Sequence, residues 1–521
     1  MKRFTVILAA ACLIAAERSP EAAAWWSHIE FLASDALEGR RPGTVGYTKA
    51  AQYVASKFEQ AGLKPGASKV SYLQPVSMQT RLIDESKSSL EILLDGKSRN
   101  VDLGEEANLG IRIDQPGTVE AKVVFVGHGL KIPEAKIDDL AGLDLKGKIA
   151  FYLSGAPSHL AAPLAAHSQS AAERWKNLRA AGAVGSISFS DPRTADIPWA
   201  RSTLRRLTPV LALTEPQLID SSGVKVSITV NPLHGDLFLA GTGHTVEKLL
   251  EMHRRNDSLP RFPLKAKVRA KTSFSLTPMT SENVIGILPG NTKETIVITA
   301  HLDHLGVGGK INGDSIYNGA MDNASGIASL IEVAKALSNK KLNRTVAFVA
   351  VTGEEGGLMG SKHFAAHPTV APKDIIADIN LDMFLPIVPL KAITVYGMDE
   401  SSLGDDFAAI AEKFKVATKR DPQPARNLFI RSDQYSFVRR GIPSLAFKFH
   451  AEGGTPEDKI MAAWLRERYH APSDDVQQPV EVESAVQFNR IITSFVEHTA
   501  NRATRPEWKD SSFFRRYVTS D

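Results

Sequence analysis

The chain has 521 residues, of which 43% are hydrophobic and 23% are charged. These values are ordinary for a folded protein, and they exclude a largely disordered chain, a collagen-like repeat and a disulfide-dense miniprotein. At roughly 150 residues per domain, the length suggests two or three domains. The 62 Lys and Arg residues nearly balance the 58 Asp and Glu residues and are spread along the chain, so no nucleic-acid partner is indicated.

The N-terminus has the pattern of a secretory signal peptide. Lys2 and Arg3 precede an apolar run over residues 4–16, which is too short to span a bilayer comfortably. We expect cleavage after residue 16, or as late as residue 24, and export to a periplasm or the medium; a buried N-terminal helix is the alternative. The only cysteine, Cys12, lies in this segment, so the mature chain would have no disulfide, which suits a bacterial envelope. Its surroundings match a lipoprotein cleavage box only weakly.

The first half of the chain predicts helices followed by strands. Apolar residues recur at helical spacing over 25–65, and Gly62 with Pro65 ends this helical part. Short alternating runs over 80–130 are typical of strands. Beyond them the pattern predicts a strand at 149–153, a helix at 171–181 and a strand at 186–189.

From about residue 283 the pattern becomes a regular alternation of strand, loop and helix. Predicted strands cover 296–300, 346–352, 376–381, 392–396 and 444–449, and predicted helices cover 324–337 and 402–415. This alternation predicts an α/β layered sheet with helices on both faces. The residues from Arg505 onward are mostly polar, and we expect them to form a loosely packed tail.

Histidines and acidic residues stand at the ends of the predicted strands and in the loops beside them. In chain order they are His301, Asp303, Asp322, Glu354, Glu355, Asp382 and His470. Because sites in open α/β sheets form at the carboxyl ends of strands, we expect these side chains to meet at one edge. Histidine and carboxylate ligands without a thiol suit zinc, and one bridging carboxylate with a His and a carboxylate for each metal would build a two-metal site.

The spacing of these residues also indicates roles. Asp303 stands two residues after His301, where a carboxylate could orient the ring of a metal-binding histidine. Glu354 and Glu355 are neighbours in a loop, so one could bind metal while the other accepts a proton from water. Taken singly, each residue has an ordinary structural explanation, such as a helix cap at Asp322. Three further histidines have no matching position and are interpreted as surface or structural residues: His304, His363 and His450.

Six motifs in this part of the chain resemble those of the M28 family of dinuclear zinc peptidases. In order they are His301-Leu-Asp303, Gly319-Ala-Met-Asp322-Asn-Ala-Ser-Gly326, Gly353-Glu-Glu355, Gly357-Leu-Met-Gly-Ser361, Asp382 and Tyr469-His470. The segment from Ser432 is also similar to the family, which often has His where Gln434 stands. That departure would alter substrate contacts and not a metal ligand.

The N-terminal half resembles family members that carry an inserted protease-associated (PA) domain. The matching segments are residues 31–40, 43–47, 62–65, 146–148 and 181–185. The resemblance implies a zinc-exopeptidase fold with a mixed central sheet flanked by helices, plus a smaller, strand-rich PA domain. On this basis residues 25–110 and 263–504 form the peptidase domain, 111–262 the PA domain and 505–521 the tail. The PA domain would lie over the site and limit access to short or unfolded peptides.

The resemblance also implies which residues hold the metals. His301 and Asp382 would bind one zinc ion, Glu355 and His470 would bind the other, and Asp322 would bridge the two. The expected cofactor is therefore two Zn²⁺ ions per chain, and the expected substrates are peptides with a free N-terminus.

The remaining site roles are implied in the same way. Glu354 would be the general base, Asp303 would orient a ligand, and Tyr469 is a candidate donor to the oxyanion. In the family, the peptide bond after the bridging ligand is typically cis, so we expect a cis bond at Asp322–Asn323.

The expected activity is that of an exported aminopeptidase, with three alternatives. A glutamate-type carboxypeptidase would need a basic pocket for the C-terminal carboxylate of the substrate, which Arg426 or Arg431 could supply. A glutaminyl cyclase would use one zinc ion, whereas both His301 and Asp382 are present here. A catalytically silent, receptor-like binding protein would have lost metal ligands that this chain retains. Neither a membrane span nor a particular oligomeric state is predicted.

Overall fold

The computed structural model describes residues 18–195, 197–426 and 428–518, so the predicted signal peptide and Cys12 lie outside the described residues. The α-helices are α1 (Pro20–Leu32), α2 (Val45–Gln60), α3 (Ala162–Gln169), α4 (Ala171–Ala180), α5 (Trp199–Ser202), α6 (Asp236–Leu239), α7 (Val246–Arg254), α8 (Ser325–Leu337), α9 (Met359–Ala366), α10 (Ser402–Lys413), α11 (Gln434–Val438), α12 (Pro456–Glu467) and α13 (Val482–Asn501).

The strands are β1 (Lys64–Pro65), β2 (Leu73–Ile83), β3 (Ser89–Leu94), β4 (Lys97–Asn100), β5 (Ala107–Leu109), β6 (Gly117–Val126), β7 (Lys131–Ile132), β8 (Ile137–Asp138), β9 (Ile149–Leu153), β10 (Gly185–Phe189), β11 (Val210–Leu213), β12 (Val226–Val230), β13 (Arg261–Thr272), β14 (Phe274–Leu288), β15 (Thr292–His301), β16 (Gly306–Ile311), β17 (Asp314–Tyr317), β18 (Arg344–Val351), β19 (Ile375–Asn380), β20 (Ala392–Tyr396), β21 (Ala417–Lys419) and β22 (Ser444–Phe449). The predicted strands and helices after residue 283 are confirmed, with small shifts at their ends.

A mixed sheet forms the centre of the predicted peptidase domain. Its strand order is β11-β2-β14-β18-β15-β19-β22-β20-β21, and β1 pairs with β14. The four central strands, β18, β15, β19 and β22, are parallel to one another, whereas β2 and β14 pair antiparallel on one side. The carboxyl ends of the parallel strands therefore meet at one edge, where α/β proteins place their sites.

Helices cover both faces of this sheet, as the alternating pattern predicts. Ile296 and Ile298 of β15 face the larger core, which also includes buried side chains of α1, α2, α8, α10 and α13. Val297 points to the opposite face and packs with Phe364 of α9 and Phe437 of α11. This alternation of apolar side chains along one strand makes β15 buried on both faces, as expected for a central parallel strand. The fold is thus α/β with a mixed sheet flanked by helices.

A second sheet lies between β2 and β14 in sequence. Its strand order is β4-β3-β13-β6-β9-β10-β12-β5, and it has its own hydrophobic core, with Phe125, Phe151 and Phe189 in contact. The sheet covers residues from 89 to 272, so it begins before and ends after the predicted 111–262 segment. In the middle of this insertion, β11 returns to the edge of the main sheet beside β2. Its description as a PA domain stays a prediction.

The C-terminal segment corrects one expectation. Residues 505–518 are not a loose tail, because Phe514 is fully buried and packs with Trp508, Tyr435 and Val438. Aromatic side chains in this otherwise polar segment supply the apolar surface that packs against α11 and its neighbours. Within the described part of the chain, every helix is too short or too polar to cross a membrane.

Candidate metal centre

The edge formed by the carboxyl ends of the parallel strands carries the predicted ligands. His301 is the last residue of β15, Glu355 follows β18 and Asp382 follows β19. Asp322 lies in the turn before α8, and His470 follows α12 in a left-handed conformation with φ of 56°. Five residues that are distant in sequence therefore come together, as the strand-end argument predicts.

Asp322 lies between two pairs of ligand-type side chains. On one side, the Nε2 atom of His301 is 3.2 Å from Asp322 Oδ1 and 3.1 Å from Asp382 Oδ1. On the other side, the Nε2 atom of His470 is 3.3 Å from Asp322 Oδ2 and 3.2 Å from Glu355 Oε1. Each oxygen of the Asp322 carboxylate thus faces one pair, which is the arrangement that a carboxylate bridging two cations requires.

His304 also lies at this site, and because its side chain is buried, its interpretation as a surface residue is wrong. Its side chain is buried, and its Nδ1 atom lies 2.9 Å from Glu355 Oε1 and 3.9 Å from Asp322 Oδ2. Asp322, Glu355 and His304 form one group of metal-ligand atoms within 4.8 Å of one another, as do His301, Asp322 and Asp382. The sequence signal for His304 was its position directly after Asp303, but the direction of its side chain depends on the course of the loop after β15.

The donor atoms at the centre fit divalent cations. Asp322 Oδ2 and Glu355 Oε1 are buried and have no hydrogen-bond partner among the described residues, and the same holds for both ring nitrogens of His304. Buried carboxylate oxygens without a donor are costly unless a cation neutralises them. The close contact between His304 and Glu355 without hydrogen-bond geometry is what two ligands of one ion would show. The donor set, histidine and carboxylate without thiolate, is one that zinc accepts.

Main-chain and side-chain groups around the centre fix the ligands. The Nδ1 atom of His301 is 3.0 Å from the main-chain oxygen of Asp303, so the backbone carbonyl and not the Asp303 carboxylate orients this ring. The Asp303 carboxylate instead accepts a hydrogen bond of 3.1 Å from the main-chain nitrogen of Glu354. Asp303 therefore connects the loop after β15 to the loop that carries both glutamates.

A cis peptide bond joins Asp322 to Asn323, as expected. The main-chain nitrogens of Met321 and Asp322 donate to the two carboxylate oxygens of Asp474, at 2.9 and 3.0 Å. The Asn323 side chain donates to the carbonyl of Leu381 at 2.9 Å. These bonds hold the turn of the central carboxylate against two other segments, and sequence reasoning did not assign the role of Asp474.

A hydrogen-bonded chain of polar residues ends at Asp382. Ser432 donates to Asp382 Oδ2 at 2.5 Å, and Asn380 donates to Ser432 at 2.9 Å and to Gln434 at 2.7 Å. Gln434 in turn donates to the main-chain oxygen of Phe429 at 2.8 Å. Gln434, where the family often has His, therefore helps to position Asn380. Through Asn380 it also helps to position Ser432, the hydrogen-bond partner of the predicted metal ligand Asp382.

Electrostatics distinguish Glu354 from the ligands. Burial raises the pKa of Glu354 well above its ordinary value, opposed by His301 and reinforced by the carboxylates of Asp382, Asp433 and Glu355. Burial likewise raises the pKa of Asp303 to about 6, opposed by His301. Bound cations would counteract both shifts, because they favour the ionised forms. A buried carboxyl group with a raised pKa is suited to accept and return a proton.

Two cavities adjoin the centre. A small one of about 120 Å³ is lined by Glu354, Tyr469, His301 and Asp382, and Arg426, Arg431 and Lys448 also line it. A larger one of about 510 Å³ is lined by Glu355, Asp303 and His304 together with residues of the inserted segment. Glu354 and Glu355 therefore face different cavities, which agrees with a separation of their roles.

The two other histidines interpreted as surface or structural residues, His363 and His450, have partners outside the centre. His363 and His367 contact the two carboxylate oxygens of Glu215, at 2.9 and 2.7 Å, and these three residues form a separate group of ligand-type atoms. His450 contacts the hydroxyl of Thr394 at 3.0 Å.

Comparison with known proteins agrees with this geometry. Residues 283–496 match the model of Peptidase family M28. Aminopeptidase YwaD of Bacillus subtilis is 27% identical over 241 residues, 45% of this chain and 48% of that protein. A probable zinc metalloprotease of Pyrenophora tritici-repentis is 42% identical over 65 residues, 12% of this chain and 15% of that protein. The chain thus spans half or less of the length of these curated relatives.

A solved structure shares the fold. The aminopeptidase from Aneurinibacillus sp. strain AM-1 superposes with a TM-score of 0.56 at 21% identity, covering 93% of this chain and 95% of that chain. The mixed sheet with His and carboxylate side chains at its edge agrees with the family match. Residues 283–496 belong to peptidase family M28.

Proposed function

We propose that the protein is a zinc-dependent aminopeptidase that releases N-terminal residues from peptides. The observation that carries the proposal is the Asp322 carboxylate, which lies with one oxygen toward His301 and Asp382 and the other toward His470 and Glu355. Two groups of ligand atoms sharing one carboxylate favour two ions over one. The name of the Bacillus subtilis relative supports the aminopeptidase activity, and that of the Pyrenophora relative supports zinc.

The ligand set follows from the distances. His301 and Asp382 would hold one ion, His470 and Glu355 the other, and Asp322 would contact both; His304 also lies within reach of the second ion. When bound, the two ions would supply positive charge that polarises the scissile carbonyl and makes the attacking water more acidic. Asp303 and Asp474 keep the loops of these ligands in place through their main-chain bonds.

Glu354 would move the proton. It lines the small cavity beside His301 and Asp382, and its carboxyl group is free of a ligand role in the proposed set. It accepts a proton from the attacking water and returns it to the leaving amine, a transfer worth roughly 100- to 10,000-fold in rate. Tyr469 lines the same cavity, and burial raises its pKa well above the ordinary value, so its hydroxyl stays protonated and can donate to the oxyanion.

One observation favours the carboxypeptidase as a second candidate. Arg426, Arg431 and Lys448 line the small cavity, where positive charge would suit the C-terminal carboxylate of a substrate. Against it, the carboxylates of Glu354 and Asp382 line the same cavity and suit the ammonium group of a free N-terminus. The receptor-like alternative requires lost ligands, and the cyclase alternative requires one metal ion.

Export is part of the proposal. Lys2, Arg3 and the apolar run that follows support it. N-terminal sequencing of the protein recovered from the medium or periplasm tests it, and a retained Met1 in the cytoplasmic fraction would contradict it.

Metal reconstitution tests the proposed activity. Protein stripped with a chelator should release no N-terminal residue, and titration with Zn²⁺ should restore release up to two equivalents per chain. The Asp322→Asn variant, treated identically, is the control because it lacks the shared carboxylate. Full activity in the stripped protein would refute the proposal.

A further inference from the structure

The larger cavity contains three arginines beside the metal centre. Arg41 belongs to the N-terminal part of the catalytic domain, whereas Arg112 and Arg205 belong to the inserted segment. Ile111 and Ser227 of the inserted segment line the same cavity opposite Glu355. With about 510 Å³, the cavity has the size of a site for a small ligand or a short peptide segment.

The contacts of these arginines leave positive charge facing the cavity. Arg112 donates to the main-chain oxygen of Gly356 at 2.6 Å, and Arg41 donates to the main-chain oxygens of Leu305 and Pro209. Both arginines thus bond to neutral carbonyls, and neither forms an ion pair within the described ranges of the chain. Arg205 differs, since its guanidinium lies 3.7 Å from Glu355 Oε2 and 3.1 Å from His470 Nδ1.

The arginines also repel one another. Desolvation within the cleft and the positive charges of Arg205 and Arg81 lower the pKa of Arg112 to about 10. Desolvation and the charge of Arg205 lower the pKa of Arg41 as well, opposed by the carboxylate of Asp303. Arg112 is charged at neutral pH and has no carboxylate within ion-pair distance among the described residues, so a bound anion would offset the repulsion between these guanidinium groups. The planar guanidinium group matches a carboxylate with two parallel hydrogen bonds.

We propose that this cavity binds a carboxylate of the substrate on the leaving side of the scissile bond, with Arg112 and Arg41 as its ligands. The inference rests on the proposed function and names its substrate class: short peptides with a free C-terminus, or peptides with an acidic residue after the cleaved bond. Because Arg112 comes from the inserted segment, that segment selects substrates by charge as well as by size.

Matched peptides test the cavity. Leu-Ala-Ala, Leu-Ala-Ala-amide and Leu-Asp-Ala-amide share one N-terminus and differ only in their carboxylates. We expect amidation of the first peptide to lower kcat/KM at least about 10-fold, mainly through KM, because the lost interaction is made equally in ground and transition states. If Leu-Asp-Ala-amide regains the kcat/KM of the acid peptide, the site accepts the carboxylate of an acidic side chain. If it does not, the site is specific for the C-terminal carboxylate.

The Arg112→Gln variant removes the proposed ligand. Its ratio of acid to amide cleavage should fall to about 1, whatever happens to its overall rate. Arg179→Gln is the matched control, because Arg179 lies in the same inserted segment, donates to the Ser222 carbonyl and does not line the cavity. This control should keep the wild-type ratio. Equal kcat/KM for all three peptides in the wild type would overturn the inference while leaving the aminopeptidase proposal intact.

A binding measurement keeps the two proposals separable. Titration calorimetry of the same peptides into zinc-loaded Glu354→Gln protein requires no turnover. We expect the acid peptide to bind at least about 10-fold more tightly than its amide, and this difference to vanish when Arg112→Gln is added. If the wild type shows no turnover but the acid peptide still binds more tightly than its amide, the aminopeptidase proposal is contradicted and the carboxylate site is supported. Equal affinities for the acid peptide and its amide would refute the carboxylate site.

Discussion

Arg40 offers a test of how the site is held together. Its side chain is fully buried, and the guanidinium donates to the carbonyls of Leu302 at 2.9 Å, Leu32 at 2.5 Å, Asn318 at 2.6 Å and Gly319 at 3.0 Å. These carbonyls belong to the end of α1, the residue after His301 and the turn before Asp322. Burial lowers the pKa of Arg40 to about 10, opposed by nearby aspartates, so it is charged at neutral pH.

Arg40→Met should destabilise the catalytic domain strongly. The substitution keeps most of the side-chain volume but leaves the carbonyl oxygens of Leu302, Leu32 and Asn318 without a donor, at about 1 kcal/mol each, whereas Gly319 still accepts from the main-chain nitrogen of Ala324. We expect the free energy of unfolding to fall by about 3 kcal/mol, and the melting temperature to fall by roughly 6–12 °C. Denaturant unfolding followed by tryptophan fluorescence measures the free energy of unfolding, and calorimetry measures the melting temperature.

The controls for this prediction are two other substitutions. Arg40→Lys keeps the charge with fewer donors and should lie between the wild type and Arg40→Met. Arg490→Met removes an exposed arginine, with a side chain 59% accessible, and should change the free energy of unfolding by less than about 0.5 kcal/mol. A loss below about 1 kcal/mol for Arg40→Met would refute the view that these carbonyls depend on Arg40.

Three further predictions concern the centre and the inserted segment. Glu354→Gln should retain two metal ions and lose roughly 100- to 10,000-fold in kcat; if metal content falls instead, the roles of Glu354 and Glu355 are exchanged. Asp322→Asn should lose both ions by elemental analysis, and retention of both would contradict a shared ligand. Burial lowers the pKa of His128 to about 4, below the ordinary 6.5, so unfolding takes up a proton in that range. The free energy of unfolding should therefore fall by up to about 3 kcal/mol from pH 6.5 to 4, and His128→Gln should flatten this dependence; parallel pH profiles would speak against it.

Much of the catalytic domain could be predicted because its signals are local. Apolar runs such as that of β15 identify buried strands. Because the central strands are parallel, polar residues directly after them lie at the same edge of the sheet. The pairing of β2 with β14 has no such signal, because about 190 residues separate strands that become neighbours. The second sheet extends beyond the predicted segment on both sides, because β3 and β13 pair with each other across it.

The parts of the site that sequence reasoning missed depend on loops. His304 follows the predicted motif directly, yet only the course of the loop after β15 turns its ring toward Glu355. Asp474 stands about 150 residues after the turn that contains Asp322, and its carboxylate accepts hydrogen bonds from the main-chain nitrogens of that turn. Such contacts follow from the assembled fold and not from residue type or spacing.

The central claim is tested most directly by one paired measurement on the purified protein. Zinc content would be determined on the same sample that is given matched peptides with free and blocked N-termini. We predict about two zinc ions per chain and cleavage of the peptides with free N-termini only. Two zinc ions with release of C-terminal residues from blocked peptides would point to the carboxypeptidase, and one ion with cyclisation of N-terminal glutamine would point to the cyclase. A protein without metal and without turnover would contradict the account.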